Sequence, residues 1–203
     1  LLEDHPLIRT RYDKGEVLRE AGKTPFVNRF DPTHGAAALQ AEGDKHAAEE
    51  TLVRVAGRML TVKSFGSLSF FHLQDGSGRI QVAVHKKSIP EEDLDLFKKV
   101  LDTGDFVGVE GTMTRTRTGE LTVHATRLFL LAKSMRPLPE KYHGLKDQEL
   151  RYRQRYVDLI VNPEVKETFE RRSRIIASLR RNLDARGYIE VETPMMQPIY
   201  GGA

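Results

Sequence analysis

Five short runs of alternating apolar and polar side chains between residues 51 and 134 constrain the fold of this chain most strongly. In the first run, Val53 and Val55 alternate with Arg54, and Met59 follows Arg58 with the same period. This is the period of a strand with one buried face. The second and third runs keep it, and their inward apolar side chains are Phe71, Leu73, Ile80, Val82 and Val84.

A helical run separates the third strand from the fourth. A proline and three acidic residues begin it, and Leu94, Phe97 and Leu101 recur at helical spacing. The last two strands are predicted over residues 106–114 and 120–131. Three strands, a helix and two strands in this order predict a five-stranded OB-fold barrel over residues 51–134. An antiparallel sandwich would also accommodate the alternation, but the helix favours the barrel.

Residues 1–50 are predicted to form a helical extension. Its first helix covers residues 6–22 and ends at Gly22. The apolar side chains that share one side of this helix are Ile8, Tyr12 and Leu18. Asp31, which precedes a proline, is expected to cap a short second helix.

The C-terminal part begins with a basic hinge over residues 135–162 and continues in a long helix. Asn162 is expected at the N-cap and Pro163 in the first turn, and Gly187 ends the helix. The apolar positions of the helix lie on one side: Val165, Phe169, Ile176, Leu179 and Leu183. A short acidic strand and a proline turn are predicted next, so the fold class is α+β.

The composition narrows the possible functions. The chain has no cysteine, which excludes disulfides and thiolate metal sites, and no cluster of His, Asp and Glu has metal-site spacing. The lack of cysteine also fits a cytoplasmic protein. We find no apolar run of membrane-spanning length and no signal-peptide pattern. The net charge is only +3, but residues 133–186 carry fourteen Lys and Arg against eight Asp and Glu. Nucleic acid is therefore a plausible partner.

The alternation of the strands also predicts a nucleic-acid surface. If Phe71 points into the barrel, then Phe70 lies on the outer side, near Gln81 of the third strand. An exposed ring can stack on a base, and an amide can read a base edge. Lys63, placed in the loop before the second strand, could reach a phosphate or a base, and Glu120 could accept from a base. Alternatively, Phe70 covers an open end of the barrel or packs on a neighbouring domain.

Three stretches resemble one enzyme family. Residues 55–82, VAGRMLTVKSFGSLSFFHLQDGSGRIQV, are similar to the anticodon-binding domain of the class IIb aminoacyl-tRNA synthetases, the lysyl, aspartyl and asparaginyl group. Residues 134–160, SMRPLPEKYHGLKDQELRYRQRYVDLI, resemble bacterial lysyl-tRNA synthetases more than their relatives. Residues 186–203, RGYIEVETPMMQPIYGGA, resemble motif 1 and its continuation in the same family.

The resemblance implies roles for the candidate residues. Phe70 would stack on the central uridine of the anticodon, and Gln81 and Glu120 would read anticodon bases. Lys63 stands where the family usually has arginine, whose planar, bidentate contact a lysine cannot make. Either recognition of the uridine is weaker here or a neighbour such as Arg58 assists.

Motif 1 implies a homodimer. Ile176, Leu179 and Pro194 would lie near its interface, and Gly201 and Gly202 at the lip of the lysine pocket. The basic residues within 133–160 would either follow the tRNA backbone or form a solvated hinge.

The intact enzyme would be a lysine–tRNA ligase. It would use ATP and Mg²⁺ to form lysyl-adenylate from L-lysine and transfer the lysine to tRNA(Lys). We expect both ends of this chain to be trimmed and this segment to hold no catalytic residue, metal or cofactor, so we predict that it makes no adenylate alone. The alternatives are a non-catalytic RNA-binding paralogue, a related domain that serves another acceptor, and the aspartyl or asparaginyl enzyme.

Overall fold

The computed structural model describes residues 5–139 and 145–195, and the chain divides between Leu138 and Pro139 into two compact units. The elements of the first unit are α1 (Pro6–Glu20), α2 (Ala36–Ala41), α3 (Gly43–Ala48), β1 (Leu52–Phe65), β2 (Leu68–Gln74), β3 (Arg79–His85), α4 (Glu91–Asp95) with a π-helical turn (Leu96–Val100), β4 (Phe106–Arg115) and β5 (Leu121–Ala132). Those of the second unit are α5 (Gln148–Arg153), α6 (Arg155–Val161) and α7 (Pro163–Asp184).

The five strands form a closed barrel in the order β1-β2-β3-β5-β4. Neighbouring strands are antiparallel except β3 and β5, where Gln81 pairs with Thr122 in parallel. The helix between β3 and β4 makes this parallel closure possible, because parallel neighbours need a crossover connection. The predicted barrel is confirmed, with β4 and β5 shifted by about one residue at their ends.

The core of the barrel follows the alternation of the sequence. The side chains predicted to point inward on β1, β2 and β3 are all buried. Phe71 is completely buried, and its ring stacks on Phe97 from the crossover helix with the ring centroids 6.0 Å apart. Burial of side chains of this size provides most of the stability of a small barrel.

A bulge in β1 changes which side chains face outward. Before the bulge, Leu60 pairs with His72, and after it Val62 pairs with Phe71, so that Thr61 is the extra residue and has a positive φ of 22°. The bulge shifts the alternation of β1 by one residue. Lys63 therefore lies within the strand and not in a loop, opposite Phe70.

The N-terminal helices pack on the barrel. Ile8 and Leu18 of α1 are buried as predicted, but Tyr12 is largely exposed. The predicted cap for the second helix is wrong, because Gly35 stands at its N-cap and the Asp31 carboxylate pairs with Arg29 instead. Asp75 of the β2–β3 turn accepts a hydrogen bond from the amide of Ala36 at 2.7 Å and so caps α2.

A buried ion cluster joins the helices to the end of the barrel. The Nζ atom of Lys133 lies 2.7 Å from the carboxylate of Asp105 and 2.5 Å from that of Asp102. The Lys133 and Asp105 side chains are completely buried, and Lys14 of α1 also contacts Asp102, at 2.6 Å. Lys133 donates a further hydrogen bond to the carbonyl of Val100.

Within the second unit, the segment predicted as a hinge contains two short helices. The second of them carries Asp158, a buried carboxylate that pairs with Arg151 of the first helix and with Arg155. Asn162 is at the N-cap of α7 as predicted, but its side chain does not cap the helix, because its amide donates to Asp158 at 2.6 Å. Gly187 has a φ of +82° after the end of α7, a conformation that favours glycine.

Residues 188–195 do not form the strand that the sequence predicts. Tyr188, Ile189 and Val191 are exposed, and no strand of the described part of the chain pairs with them. A strand needs a hydrogen-bonded neighbour.

None of the helices described is long and apolar enough to cross a membrane.

Three aspartates make the stability of the fold sensitive to acid. Burial opposes the ionisation of Asp75, Asp102 and Asp158, but hydrogen bonds from backbone amides at Asp75, from lysines at Asp102, and from Asn162 and Arg151 at Asp158 outweigh it and lower each pKa. A lowered pKa stabilises the folded state above the pKa of the unfolded chain, about 3.9 for aspartate, and this stabilisation is lost as the pH falls through the folded pKa.

We therefore expect the free energy of unfolding to fall steeply below about pH 4. Urea titrations at pH 7, 5, 4 and 3 measure it. The variant Asp75→Asn should lose less stability between pH 5 and pH 3 than the wild type. An unchanged loss in that variant would contradict the role of Asp75.

Candidate nucleic-acid interface

The strand register places three of the four predicted anticodon residues, Lys63, Phe70 and Gln81, on one surface. Directly opposite residues of paired strands point to the same side, so Lys63, Phe70 and Ala83 form one row across β1, β2 and β3. The next row contains His72 and Gln81. We call the solvent side of these strands the outer face; its members used below are Lys63, Phe65, Phe70, His72 and Gln81.

Phe70 is the half-buried ring of the outer face. Lys63 lies directly opposite it on β1 and is exposed. No carboxylate in the described parts of the chain pairs with the Lys63 ammonium. A ring beside an unpaired cation suits a nucleotide, whose base stacks on the ring and whose phosphate attracts the cation.

Glu120 connects two side chains of the outer face. Gln81 donates from Nε2 to one Glu120 oxygen at 2.6 Å, and His72 donates from Nε2 to the other at 3.2 Å. Thr122, which is buried, donates to the Gln81 carbonyl oxygen at 2.8 Å. Both ends of the Gln81 amide are therefore held, which fixes its orientation.

This network leaves hydrogen-bonding capacity for a base. An amide has two N–H donors and an oxygen with two lone pairs. The contacts of Gln81 with Glu120 and Thr122 use one donor and one lone pair. One N–H donor and one acceptor site on the oxygen remain. Because the contacts fix the positions of the amide nitrogen and oxygen, they also fix the positions of this donor and this acceptor.

Arg58, which the sequence analysis offered as a second cation for contacting the uridine, makes other contacts. It donates to the carbonyl of Gly104 at 2.8 Å, and its guanidinium lies 4.2 Å from the centre of the Phe106 ring. Burial lowers the pKa of Arg58 against the opposing effect of the nearby Asp105. These contacts leave Lys63 as the cation beside Phe70.

The sequence did not single out two members of this surface. His72, two residues after Phe70 on β2, also contacts Glu120. Phe65 lies two residues beyond Lys63, and its ring centroid is 6.3 Å from that of Phe70. Lys63 and Phe65 are two residues apart and therefore share a face, but the bulge at Thr61 decides that this face is the outer one.

The other predicted site residues lie in the second unit. Ile176 is half-buried on α7, and Leu179 is 61% exposed. Pro194 is exposed beyond the end of the helix. Gly201 and Gly202 lie outside the described residues. Among the described residues, no group of three His, Cys, Asp or Glu side chains could hold a metal ion.

Two family models match the chain. The model of the OB-fold nucleic-acid-binding domain matches residues 53–131, which cover nearly the whole barrel. The model of the class II tRNA synthetases for D, K and N matches residues 147–203. The first match thus corresponds to the barrel and the second match to the second unit.

Lysine–tRNA ligases are similar to this chain over almost its full length. The ligase of Pelotomaculum thermopropionicum is 50% identical over 97% of this chain and 38% of its own length. That of Enterococcus faecalis is 50% identical over 100% of this chain and 41% of its own length. The chain thus spans about two-fifths of the length of these relatives. The relatives and the two family models thus agree: nearly the whole chain is similar to lysine–tRNA ligases, with an OB-fold nucleic-acid-binding part followed by a part similar to the class II tRNA synthetases.

Proposed function

We propose that the outer face reads the anticodon of tRNA(Lys) and that the intact protein is a lysine–tRNA ligase. It would act in the cytoplasm, form lysyl-adenylate from L-lysine and ATP with Mg²⁺, and transfer the lysine to tRNA(Lys). The observation that carries the proposal is the Gln81 amide, held by Glu120 and Thr122 in the row beside Phe70.

The fixed amide provides a physical basis for choosing a uridine. Uracil presents an N3–H donor beside the O4 acceptor, whereas cytosine presents an N3 acceptor beside the N4 donor. The two bases therefore offer donor and acceptor in opposite order. An amide free to rotate could adapt to both, but Gln81 is held at both ends and matches only one.

The second unit contributes support for a homodimer. The side of α7 with Phe169, Leu179 and Leu183 is largely exposed, and none of the residues of this helix is buried. An apolar stripe along a 22-residue helix is typical of a surface that packs on another element.

The alternative is an RNA-binding paralogue without catalysis. The match of residues 147–203 to the class II synthetase model favours the ligase, because an RNA-binding module would not need this segment. The same match includes α7, the helix whose apolar side supports the homodimer.

Titration with RNA tests the proposal. We expect this chain to bind a stem-loop with the lysine anticodon more tightly than one in which cytidine replaces the central uridine. We also expect Phe70→Ala to weaken binding by about 1–3 kcal/mol, since a base loses its stacking surface. Fluorescence anisotropy at a fixed salt concentration measures both effects.

The matched control is Phe26→Ala, which removes an exposed ring from the segment before α2. It should leave the affinity unchanged. Equal and strongly salt-dependent binding of both stem-loops, unaffected by Phe70→Ala, would refute base reading and leave a contribution of charge alone.

A further inference from the structure

A second aromatic ring is exposed on the outer face. Phe65, the last residue of β1, is 64% exposed and pairs with Leu68 across the hairpin. It lies two residues beyond Lys63, so both side chains point to the side of Phe70. A phenyl ring with this exposure adds little to the stability of the barrel.

The two rings are neighbours with different orientations. The Phe65 and Phe70 centroids lie 6.3 Å apart, and the ring planes meet at 65°. Stacked bases are parallel and about 3.4 Å apart along a strand. Bases resting on both rings would therefore be unstacked from each other, as are the bases that proteins read in single-stranded RNA.

A cation lies beside both rings on the outer face. Lys63 is directly opposite Phe70 and precedes Phe65 by two residues. Its ammonium has no carboxylate partner in the residues described. Two nucleotides are joined by one phosphate, and a lysine in this position can neutralise it.

We propose that Phe65 is a second base-stacking surface, which takes the nucleotide adjacent to the one on Phe70, with Lys63 at the phosphate between them. The inference rests on the proposed anticodon function. It adds that the barrel holds two consecutive bases of the loop unstacked.

The first test compares variants of Phe65. We expect Phe65→Ala to weaken binding of the lysine-anticodon stem-loop by about 5- to 150-fold, the range of one lost base–aromatic stack. Phe65→Leu should lose nearly as much, because leucine lacks an aromatic face, while Phe65→Tyr should bind like the wild type. Because the ring is exposed, these variants should keep the thermal midpoint of the wild type.

The second test identifies the base. Stem-loops with an abasic nucleotide on either side of the central base are titrated with the wild type and with Phe65→Ala. One of the two abasic positions should make the Phe65→Ala effect disappear. If the effect persists with both abasic loops, or if Phe65→Leu binds like the wild type, Phe65 makes only a general apolar contact and the inference fails.

A third measurement addresses Lys63. Lys63→Met should reduce the slope of log affinity against log salt by about 0.7, the value for one phosphate of a single strand. An unchanged slope would overturn the placement of Lys63 at a phosphate.

The results for the Phe70 and Phe65 variants distinguish a failure of this inference from a failure of the proposed anticodon function. If neither Phe70→Ala nor Phe65→Ala weakens binding, the proposed anticodon function itself is wrong. If Phe70→Ala weakens binding and Phe65→Ala does not, base reading stands and only the second stacking surface is refuted.

Discussion

Replacing Lys133 by methionine is expected to lower the free energy of unfolding by about 3–5 kcal/mol, the cost of breaking a buried ion pair from one side. Lys133 is completely buried and lies within 2.7 Å of both Asp105 and Asp102. Methionine fills a similar volume but leaves the Asp105 carboxylate without this ammonium. Two backbone amides, of Asp102 and Ser134, still donate to Asp105, so the carboxylate stays in place with its charge uncompensated.

Urea unfolding at pH 7, followed by circular dichroism, measures this loss. The control is Lys99→Met, which removes a lysine from an exposed pair with Asp95 and should cost no more than about 0.5 kcal/mol. The double variant Lys133→Met, Asp105→Asn should regain part of the loss, because it removes the stranded charge. A loss below about 1 kcal/mol for Lys133→Met would show that the cluster contributes little.

The adjacent residues Phe70 and Phe71 are expected to separate binding from stability. Phe71→Ala should lower the free energy of unfolding by about 3–5 kcal/mol, because it empties a buried volume beside Phe97. Phe70→Ala should lower it by about 1 kcal/mol or less, because its ring is only half-buried. Only Phe70→Ala should weaken RNA binding while the protein remains folded.

Thermal unfolding and stem-loop titration on the same samples measure both properties. Titrations of Phe71→Ala are carried out well below its unfolding midpoint, so that the folded protein is compared. A loss of stability in Phe70→Ala as large as that in Phe71→Ala would mean that Phe70 belongs to the core and does not serve as a binding surface.

The barrel core and the crossover helix could be predicted, because the spacing of neighbouring residues determines both. The alternation through Phe71 and Leu73 placed the barrel core, and the helical spacing of Leu94 and Phe97 placed the crossover helix. Both signals are properties of consecutive residues, which is why they could be read without a structure.

Contacts between distant residues could not be predicted in this way. The cap of α2 comes from Asp75, about forty residues after the helix begins, and the nearby Asp31 was chosen in its place. Lys133 was counted in a basic stretch, yet Asp102 and Asp105 bury its charge. The bulge at Thr61, which turns Phe65 outward, has no clear sign in the sequence either.

In the candidate site, too, the residues on a strand could be predicted from local alternation, whereas the contacts between strands could not. Phe70 and Gln81 came from alternation, and the register places them in adjacent rows of one surface. The link from Glu120 to both Gln81 and His72 depends on the parallel pairing of β3 with β5, which the order of the strands alone does not specify.

The packing of the N-terminal helices decides where this barrel can be cut for grafting. Asp75 caps α2, Leu39 of that helix is fully buried, and Gly43 of α3 lies so close to Leu121 that any side chain there would collide with it. An excision beginning at residue 51 would expose these apolar surfaces and invite aggregation. A chimera that begins before Pro6 would instead carry the barrel together with the helices that keep it soluble.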